Sequence, residues 1–499
     1  MQKSQPAVVI GGGVAGTTCA SYLASLLPNH PIILLEPHPS LRISSTPTEI
    51  TRLAKDVTVQ TEQTKEWCEK YNISHVKAHA RTLRPGKVIL ENGMHQPFSV
   101  CCVATGASPF VPSPLQNPAF QNVVITLRDT QSVQSLSQAL SGARVVLVVG
   151  AGGIAMELVH EITNCRVVWL TRSHVGGAFF DKRASLALAT TFNLDKLSSQ
   201  SPSDPPRGLE VQPKPHSAAM NPEISFSRSL AAAAVGPQWL RTRYAPVIYD
   251  KKGGMNTTQK SIPFLSGGYG GSIQALASCE VVDLHKDQSG RWPVVAQLTN
   301  GEHIGCDLII VATGVTANVA WLSDTDIQLA AQEDGRGGGI TVKAGDMESS
   351  IPCVFAAGDC ASVQPADDSD WFQLRLWSQA LTAGRAAAQN MAARLGVGEV
   401  YSGLEFDVFA HATIFFGKRV VLLGRYNAEG LCDGYKVYER DGEDYLRVVV
   451  QGGRVRGAVL VDDTDCAEVF ENLILSKLQV DWLGERLVDR EPDLEDYFD

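Results

Sequence analysis

The stretch AVVIGGGVAG, residues 7–16, decides the fold of this 499-residue chain. Its first four residues form a short apolar run that predicts a β-strand, and Thr17–Leu27 has the apolar spacing of a helix. Gly11 suits a tight turn between them, Gly13 lets a pyrophosphate approach the backbone, and Gly16 lets the helix pack closely on the strand. The helix N-terminus adds unpaired N–H groups that attract phosphate. The sequence therefore predicts a dinucleotide-binding turn here.

The strand predicted for Ile32–Leu35 continues this unit and ends at Glu36. Glu36 lies 20 residues after Gly16, where a carboxylate would accept hydrogen bonds from ribose hydroxyls. Arg42 follows shortly and is placed to reach the adenosine or the pyrophosphate. Val14 and Ala15, between Gly13 and Gly16, complete the predicted contacts of this turn. The fingerprint alone does not separate FAD from NAD.

The same arrangement recurs at residues 150–155, which read Gly-Ala-Gly-Gly-Ile-Ala. Val145–Val149 predicts a strand before it, a helix is predicted for Ile154–Ile162, and Val167–Leu170 predicts the next strand. Alanine is permitted at the third position of the pattern. Two such units in one chain indicate two doubly wound sheets. The residues predicted to contact the second dinucleotide are Gly150, Gly152, Gly153, Ile154 and Ala155.

The residue that ends the second strand of this later unit bears on the choice of dinucleotide. The strand ends in Thr171-Arg172 rather than in an acid. An acid would favour the free 2′-hydroxyl of NADH, whereas an arginine can pair with the 2′-phosphate of NADPH. Arg172 therefore favours NADPH or mixed use, and a plain surface charge remains the alternative.

Three later segments end apolar runs in short turns: CCVATGASP at 101–109, VATGVTAN at 311–318 and VFAAGD at 354–359. Taken with the two glycine turns and in this order, they resemble the pyridine nucleotide-disulphide oxidoreductases. The resemblance implies FAD as the cofactor and NADPH or NADH as the co-substrate. It implies that FAD is contacted by Ala104, Thr105, Gly106, Gly358 and Asp359, and NAD(P)H by Thr313 and Gly314.

The resemblance also gives Glu157 a role. In similar enzymes a glutamate at this place on the helix faces the nicotinamide ring. Glu157 is therefore the candidate catalytic residue, and a solvated helix carboxylate is the alternative.

The alternation of strands and helices favours an α/β fold with two doubly wound, Rossmann-like dinucleotide-binding domains and a small C-terminal α+β domain. The predicted boundaries are 1–125 and 317–400 for the two parts of the FAD-binding domain, 126–316 for the NAD(P)H-binding domain and 401–499 for the C-terminal domain. From about 181 to 271 the alternation breaks down, and Ser199–Pro215 is crowded with Ser, Pro and Asp. We predict a long insertion there, part loop and part disordered.

The named family passes electrons from flavin to a pair of redox-active cysteines, and the sequence lacks an obvious pair. Pro37–Lys55, where one branch has it, contains no cysteine; Ser44 and Ser45 stand in that region. The second domain holds only Cys165, Cys279 and Cys306, none of them in a C-x-x-C motif.

Three further cysteines are predicted to serve packing. Cys101 and Cys102 are adjacent in a predicted strand, so their side chains point to opposite faces. Cys360 follows Asp359 and is also predicted to be a packing residue. We therefore expect electrons to leave the reduced flavin directly, for oxygen, a quinone, a small thiol-derived oxidant or a redox protein.

Two elements near the C-terminus have weaker signals. A helix is predicted from Leu374 to about Arg394, with its first residues near the flavin pyrimidine, although Trp377 is equally suited to a core position. His411-Ala412-Thr413 is a partial echo of the histidine element that some family members donate across a dimer, without its proline. We expect His411 to be structural or adjacent to the cofactor.

Composition restricts the function classes. The formal net charge of −10 argues against non-specific nucleic-acid binding, and no apolar run approaches the roughly 20 residues of a membrane helix. The run Ala7–Ile10 is too short for the core of a signal peptide. Eleven scattered cysteines fit a reducing compartment. The expected location is the cytoplasm, with the nucleus open.

Nearly the whole chain outside the insertion is similar to a eukaryotic branch of the family, through Phe179-Phe180-Asp181, Phe409-Ala410-His411 and the ending Glu-Asp-Tyr-Phe-Asp. That similarity implies a role in oxidative-stress defence and points to the tRNA-splicing ligase complex as a partner, which no residue pattern shows. Two alternatives to an NAD(P)H-oxidising enzyme stay open. One is a nucleotide-gated binding module that protects such a partner, and the other is a disulphide reductase that uses unpaired thiols.

Overall fold

The structure is a computed structural model that describes residues 5–44, 59–127, 130–162, 165–189, 248–249, 265–266, 272–432, 434–442 and 444–490. The strands are β1 Ala7–Ile10, β2 Ile32–Leu35, β3 Ser40–Ser44, β4 Val59–Gln63, β5 Ser74–Val76, β6 Ala80–Arg84, β7 Lys87–Leu90, β8 His95–Pro97, β9 Val100–Val103, β10 Ala107–Pro109, β11 Val124–Thr126, β12 Val145–Val149, β13 Arg166–Thr171, β14 Ile248–Tyr249, β15 Leu265–Ser266, β16 Ser272–Ala277, β17 Val281–His285, β18 Val294–Leu298, β19 His303–Cys306, β20 Leu308–Val311, β21 Val315–Ala317, β22 Leu329–Glu333, β23 Arg336–Lys343, β24 Val354–Ala356, β25 Ala361–Gln364, β26 Ala410–Phe415, β27 Lys418–Gly424, β28 Lys436–Asp441, β29 Tyr445–Gln451 and β30 Arg454–Val461. The α-helices are α1 Val14–Leu26, α2 Thr64–Lys70, α3 Thr130–Leu140, α4 Gly153–Glu161, α5 Lys182–Ala189, α6 Trp377–Arg394 and α7 Ala467–Ser476. Short 3₁₀ turns lie at Ser113–Leu115, Pro118–Phe120, Ala320–Leu322, Gly358–Cys360, Leu404–Phe406 and Gly484–Val488.

The first glycine turn follows the middle strand of a five-stranded parallel sheet in the order β24-β9-β1-β2-β5. The sheet combines the first hundred residues with β24, which returns from far along the chain. Its strands β1, β2 and β9 are nearly continuous buried apolar runs, as expected when both faces of a parallel sheet are covered. Helices α1 and α6 pack on each other beside this sheet, where Gly384 of α6 lies so close that a Cβ on it would be 2.6 Å from the Ala15 carbonyl oxygen.

The second glycine turn lies in a six-stranded sheet in the order β11-β20-β12-β13-β16-β15. All neighbours are parallel except β15, which pairs antiparallel with β16. Val145–Val149 is fully apolar and buried along its length, as expected for a central strand. An antiparallel sheet in the order β14-β19-β18-β17 continues from the same part of the chain.

The predicted fold class is confirmed: the structure has two doubly wound α/β units and a separate C-terminal unit. The C-terminal unit is a five-stranded antiparallel sheet, β26-β27-β30-β29-β28, covered by α7. The numerical domain boundaries given above stay predictions.

One prediction for the insertion is wrong at its start. The sequence after 181 was expected to be irregular, yet Lys182–Ala189 forms α5. The physical reason is helical spacing, since Ala184 and Leu188 lie four residues apart and are both fully buried. Apart from Ile248–Tyr249 and Leu265–Ser266, the rest of the predicted insertion lies outside the described residues, so its expected disorder stays a prediction.

The helix expected from Leu374 begins three residues later, at Trp377. Arg375 has a φ of 55°, which interrupts right-handed helix geometry. The amide N–H of Leu374 donates to the side chain of Gln379 at 2.9 Å instead of entering the helix. Within the part of the chain that the structure describes, no helix is both long and apolar enough to cross a membrane.

Candidate functional site

The first glycine turn is shaped by two close backbone contacts and one open position. Gly11 has a φ of 109°, and a Cβ on it would lie 2.3 Å from the carbonyl oxygen of Ala104. A Cβ on Gly16 would lie 2.0 Å from the Gly11 oxygen, so helix and strand meet at backbone distance. A Cβ on Gly13 would meet nothing within 4 Å. The turn therefore leaves free the space above Gly13 where a pyrophosphate would approach the backbone.

The carboxylate of Glu36 is buried at this turn. It accepts hydrogen bonds from the Gly12 amide at 2.5 Å and from the His38 amide at 2.8 Å. A carboxylate has about four acceptor positions, so two bonds leave capacity for ribose hydroxyls. Glu36 therefore both fixes the turn and remains able to take the role predicted for it.

Arg42 is held beside the same turn by its backbone. Its amide donates to the Gly12 oxygen at 2.9 Å, and its carbonyl accepts from the hydroxyl of Thr17 at 2.9 Å. The backbone of β3 is thereby tied to the turn and to α1. This placement agrees with a contact to a bound dinucleotide, and the contact itself stays a prediction.

The Gly-Asp motif meets the first helix. Gly358 has a φ of 73°, and a Cβ on it would be 2.7 Å from the Cβ of Ala15. Its neighbour Asp359 has a carbonyl that accepts from Nε of Arg375 at 3.2 Å. Gly358, Asp359 and Arg375 line a small cavity together with Leu376 and Ala380 at the start of α6. The contacts of Gly358 and Asp359 with a bound flavin stay predictions.

The two Ala-Thr-Gly turns are locked together by Asn318. The hydroxyl of Thr105 donates to the Asn318 carbonyl at 2.8 Å, and Nδ2 of Asn318 donates back to the Thr105 carbonyl at 3.0 Å. The Asn318 amide donates to the oxygen of Gly106 at 2.9 Å. Asn318 was quoted in the sequence motif but given no function. Its fixed position after the second Ala-Thr-Gly was the available signal.

The second glycine turn repeats the geometry of the first. Gly150 has a φ of 137°, and a Cβ on it would lie 2.1 Å from the Ala312 oxygen. A Cβ on Gly152 would again meet nothing within 4 Å. Ala155 is fully buried where the first turn has glycine. The free space lies above Gly152, at the start of α4, where the phosphates of a dinucleotide fit.

Other predicted residues of the second site gather around this turn. Thr313 lies beside Gly150, and its hydroxyl donates to the Phe110 carbonyl at 2.7 Å. Gly314 has a φ of 99° and its carbonyl accepts from the Phe110 amide at 2.9 Å. Ile154 follows Gly153 in the first turn of α4. On the outer side, the ring of Phe179 lies 3.3 Å from where a Cβ on Gly153 would be, which the sequence did not reveal.

Glu157 is a buried carboxyl on α4, only 4% exposed. Burial and, as the smaller cause, the nearby Glu161 together raise its pKa to about 8. Its Oε2 has no hydrogen-bond partner among the described residues. Buried polar atoms normally have a hydrogen-bond partner, so the lone Oε2 needs an explanation. Beside a dinucleotide turn, the carboxamide of a bound nicotinamide could supply that partner, or the carboxyl could hold an exchangeable proton. The alternative of a solvated helix carboxylate is wrong, because the side chain is out of water.

Arg172 does not stand alone at the end of β13. Its Nη1 lies 3.2 Å from Oδ2 of Asp334, and Nη2 of Arg336 lies 3.2 Å from the same oxygen. Both members of the Arg172–Asp334 pair are largely exposed. Sequence analysis missed Asp334 and Arg336, which come from the hairpin of β22 and β23.

The cysteines near the first turn are buried and free. Burial raises the pKa of Cys101 well above the usual range. The hydrogen bond with the thiol of Cys19, together with burial, does the same for the pKa of Cys102. Burial also raises the pKa of Cys360 to about 11, and its Sγ–H donates to the Val103 carbonyl at 3.2 Å. The expected packing of these three thiols is confirmed.

His411 lies in β26 and is buried, so burial lowers its pKa to about 4. It is neutral at pH 7 and packs near the ring of Phe409. Phe409 and Leu422, the partner of His411 on β27, belong to the core shared with the dinucleotide-binding units, whereas α7 packs on the opposite face of the sheet. The structure thus places His411 on the face toward those units, and both expected roles, structural and adjacent to the cofactor, stay open.

Comparison with protein families agrees with this geometry. The model of the family described as pyridine nucleotide-disulphide oxidoreductase matches residues 5–198 and 272–385. The chain is also similar over its full length to relatives called pyridine nucleotide-disulfide oxidoreductase domain-containing protein 1. The Homo sapiens relative is 31% identical over 525 residues, covering 99% of this chain and 97% of the relative. The Mus musculus relative is 33% identical over 531 residues and covers 100% of both.

Solved structures with the same fold act with different electron acceptors. A ferredoxin reductase from Rhodopseudomonas palustris superposes with a TM-score of 0.65 at 17% identity, covering 99% of this chain and 100% of the other. An engineered water-forming NADPH oxidase bound to NADPH gives 0.64 at 16% identity, covering 97% and 93%. A NAD-dependent persulfide reductase from A. fulgidus gives 0.63 at 17% identity, covering 96% and 78%. Identities this low establish the shared fold alone.

Proposed function

Because the chain belongs to the pyridine nucleotide-disulphide oxidoreductase family, we propose that it oxidises NADPH or NADH and passes the electrons to an acceptor that is not a cysteine pair of its own. The family is FAD-binding and NAD(P)H-dependent, so the protein is an FAD-dependent oxidoreductase with NAD(P)H as co-substrate. When bound, FAD supplies the hydride-accepting ring and the route onward to the acceptor. The acceptor that we propose is oxygen, a quinone or another non-dithiol oxidant.

The burial of the thiols near the first glycine turn is the observation that carries this proposal. Disulphide exchange requires a thiolate, and burial holds Cys101, Cys102 and Cys360 as neutral thiols. The hydrogen bond from Cys360 to the Val103 carbonyl also satisfies that thiol within the core. These contacts support packing and disfavour a dithiol relay, including the alternative of a reductase that uses unpaired thiols.

The chain's own residues bind and orient the co-substrate. The amide groups at the start of α4 and the open space above Gly152 receive the phosphates. Glu157 holds a proton at neutral pH and offers its unsatisfied Oε2 to the nicotinamide end. Arg172 supports NADPH as the preferred form, because it places a positive charge at the ribose end of the site.

Anaerobic addition of NADPH or NADH to the purified yellow protein tests the reaction. We expect either nucleotide to bleach the flavin absorbance band within the mixing time or within seconds. Oxygen, quinones, ferredoxins and small disulphides added afterwards should restore the colour at different rates, and the fastest identifies the acceptor class. A band that persists with both nucleotides would contradict the proposal.

The cellular setting is part of the same proposal. We place the protein in the cytoplasm with access to the nucleus, assign it to oxidative-stress defence and propose the tRNA-splicing ligase complex as a partner. The eleven scattered cysteines, none of them in a C-x-x-C motif, support a reducing compartment. A tagged chain at native expression should co-purify with the ligase in an NADPH-dependent manner. Recovery of the ligase that is the same with and without nucleotide would argue against a nucleotide-gated association.

A further inference from the structure

The hairpin of β22 and β23 places a carboxylate beside the second dinucleotide site. Asp334 lies in its turn, and its Oδ2 is 3.2 Å from Nη1 of Arg172 and 3.2 Å from Nη2 of Arg336. One carboxylate oxygen thus bridges two guanidinium groups. We call this group of three residues the Arg-Asp-Arg bridge.

The Arg-Asp-Arg bridge joins the two sides of the glycine turn. In the sheet, β12 lies between β20 and β13, and it runs into the turn that begins at Gly150. Arg172 directly follows β13, whereas Cδ of Arg336 lies 3.5 Å from where a Cβ on Gly314 would be, just beyond β20. The two arginines therefore flank the strand that carries the dinucleotide turn, and Asp334 connects them.

The hairpin turn is fixed in this position by contacts that do not involve the Asp334 carboxylate. The hydroxyl of Thr316 donates to the Gly335 carbonyl at 2.5 Å. A Cβ on Gly335, which has a φ of 80°, would lie 2.8 Å from the ring of Phe110, so backbone and ring are in close contact. The guanidinium of Arg336 also lies 5.6 Å from the centre of that ring. Arg336 and the turn therefore keep their place whether or not Asp334 holds Arg172.

The bond between Asp334 and Arg172 is easy to exchange. The two side chains are 74% and 55% exposed, and ion pairs that are this open to water contribute little to stability. A phosphate monoester carries more charge than a carboxylate and three acceptor oxygens, so it is the stronger partner for arginine. Arg172 occupies the strand end where the ribose 2′ substituent of a dinucleotide lies in this fold.

We propose that Asp334 determines the dinucleotide specificity of the second site: its carboxylate occupies the place on Arg172 that the 2′-phosphate of NADPH takes. The 2′-phosphate displaces Asp334 and is then held by Arg172 and Arg336. NADH lacks this group and leaves the Arg-Asp-Arg bridge intact. The inference rests on the proposed function only in taking NAD(P)H as the ligand of this site.

Two adenosine fragments isolate the 2′-phosphate. The FAD-loaded protein is titrated with 2′,5′-ADP and with 5′-AMP by isothermal calorimetry. Asp334→Asn removes the competing charge and keeps the shape of the side chain. We therefore expect this variant to bind 2′,5′-ADP about tenfold more tightly and 5′-AMP with unchanged affinity. Asp334→Glu keeps the charge and should behave like the wild type. Arg336→Gln should lower the affinity for 2′,5′-ADP and leave the affinity for 5′-AMP unchanged.

Asp324→Asn is the matched control, because Asp324 also forms an exposed pair with an arginine, Arg84, away from the glycine turn. It should change neither affinity. The inference is overturned if Asp334→Asn leaves 2′,5′-ADP unchanged or shifts both fragments equally. The proposed function fails in a different way, when NADPH and NADH leave the flavin band unchanged although both fragments bind.

Discussion

The two glycine turns of this protein have similar backbone geometry, but the residues that follow the next strand carry opposite charges. Gly11 and Gly150 both lie with a positive φ against the carbonyl of an Ala-Thr-Gly turn. Beyond that cradle they differ: the first site ends in the buried acid Glu36, and the second in the exposed Arg172. Glycine geometry leaves room for phosphates in both turns, and we propose that the residue at the end of the next strand selects the group to which the phosphates are attached.

Glu36 and Arg172 also differ in burial, and this difference bears on whether each site keeps or exchanges its dinucleotide. Glu36 is locked by two backbone amides and covered by the sheet around it. Arg172 is held by one exposed carboxylate that a ligand can replace. We therefore expect FAD to stay bound at the first site through purification, and NAD(P)H to exchange at the second.

Filling the open position of each turn should separate the two sites with the largest effect. Gly13→Val and Gly152→Val each place a side chain where nothing lies within 4 Å, so the fold tolerates both while the phosphates lose their space. We expect Gly13→Val to lose FAD and Gly152→Val to keep FAD but to be reduced by NADPH about a hundredfold more slowly. Flavin absorbance per protein and stopped-flow reduction measure the two effects.

Gly142→Val is the control for this pair, because a Cβ on Gly142 also meets nothing within 4 Å and lies on neither turn. It should change neither the FAD content nor the reduction rate. Equal loss of FAD in both turn variants would show that the two cradles are not independent sites.

The turns were readable from sequence because their chemistry is local. A glycine with a positive φ, such as Gly11 or Gly150, is needed wherever the backbone must bend at that point, and the flanking apolar strands lie within a few residues. The partner of Arg172 was not readable, since Asp334 is 162 residues away and meets it only through the packing of two sheets. The burial of Glu157 likewise depends on neighbours that helix periodicity does not specify.

Neutralising Glu36 or Arg172 should change dinucleotide binding less than filling the glycine turns does. Glu36→Gln removes the charge that accepts from Gly12, and we expect FAD affinity to fall about tenfold while NADPH affinity per bound flavin is kept. Arg172→Gln should lower the affinity for NADPH about tenfold and leave the affinity for NADH unchanged. Equilibrium dialysis for FAD and fluorescence titration for the nucleotides report the pattern. A loss of NADH binding equal to that of NADPH would remove the case for a 2′-phosphate contact.

Glu157 should add a pH dependence that belongs to the second site alone. Its pKa is about 8 in the folded protein and 4.5 as the ordinary value, so the folded state binds the extra proton between these pH values. Its contribution to stability is therefore greatest below pH 4.5, declines as the pH rises from there to about 8, and does not change further above that. Glu157→Gln removes the decline, and its midpoint of thermal unfolding at pH 9 should exceed that of the wild type by roughly 3 °C.

The exposed Glu66 on α2 provides a control, because Glu66→Gln removes a helix carboxylate without burial. Its unfolding midpoints at pH 6 and pH 9 should follow the wild type. A Glu157→Gln variant with an unchanged difference between the two pH values would mean that the carboxyl is ionised in the folded state.

The smallest effect is expected for the thiols of the first site. Replacing Cys101, Cys102 and Cys360 together by serine, and separately by alanine, should leave turnover per bound FAD within about twofold of the wild type, although lost packing lowers stability. Normalising to flavin absorbance separates chemistry from folding. Abolished turnover in the well-folded alanine variant would restore the disulphide-reductase alternative.

We propose that flavin alone is the two-electron store between the two glycine turns. Anaerobic titration of the FAD-loaded protein with NADPH, followed at the flavin band, counts that store directly. The expected end point is one NADPH per FAD. An end point at two NADPH per FAD would reveal a second two-electron acceptor, as a cysteine pair would be, and would contradict this proposal.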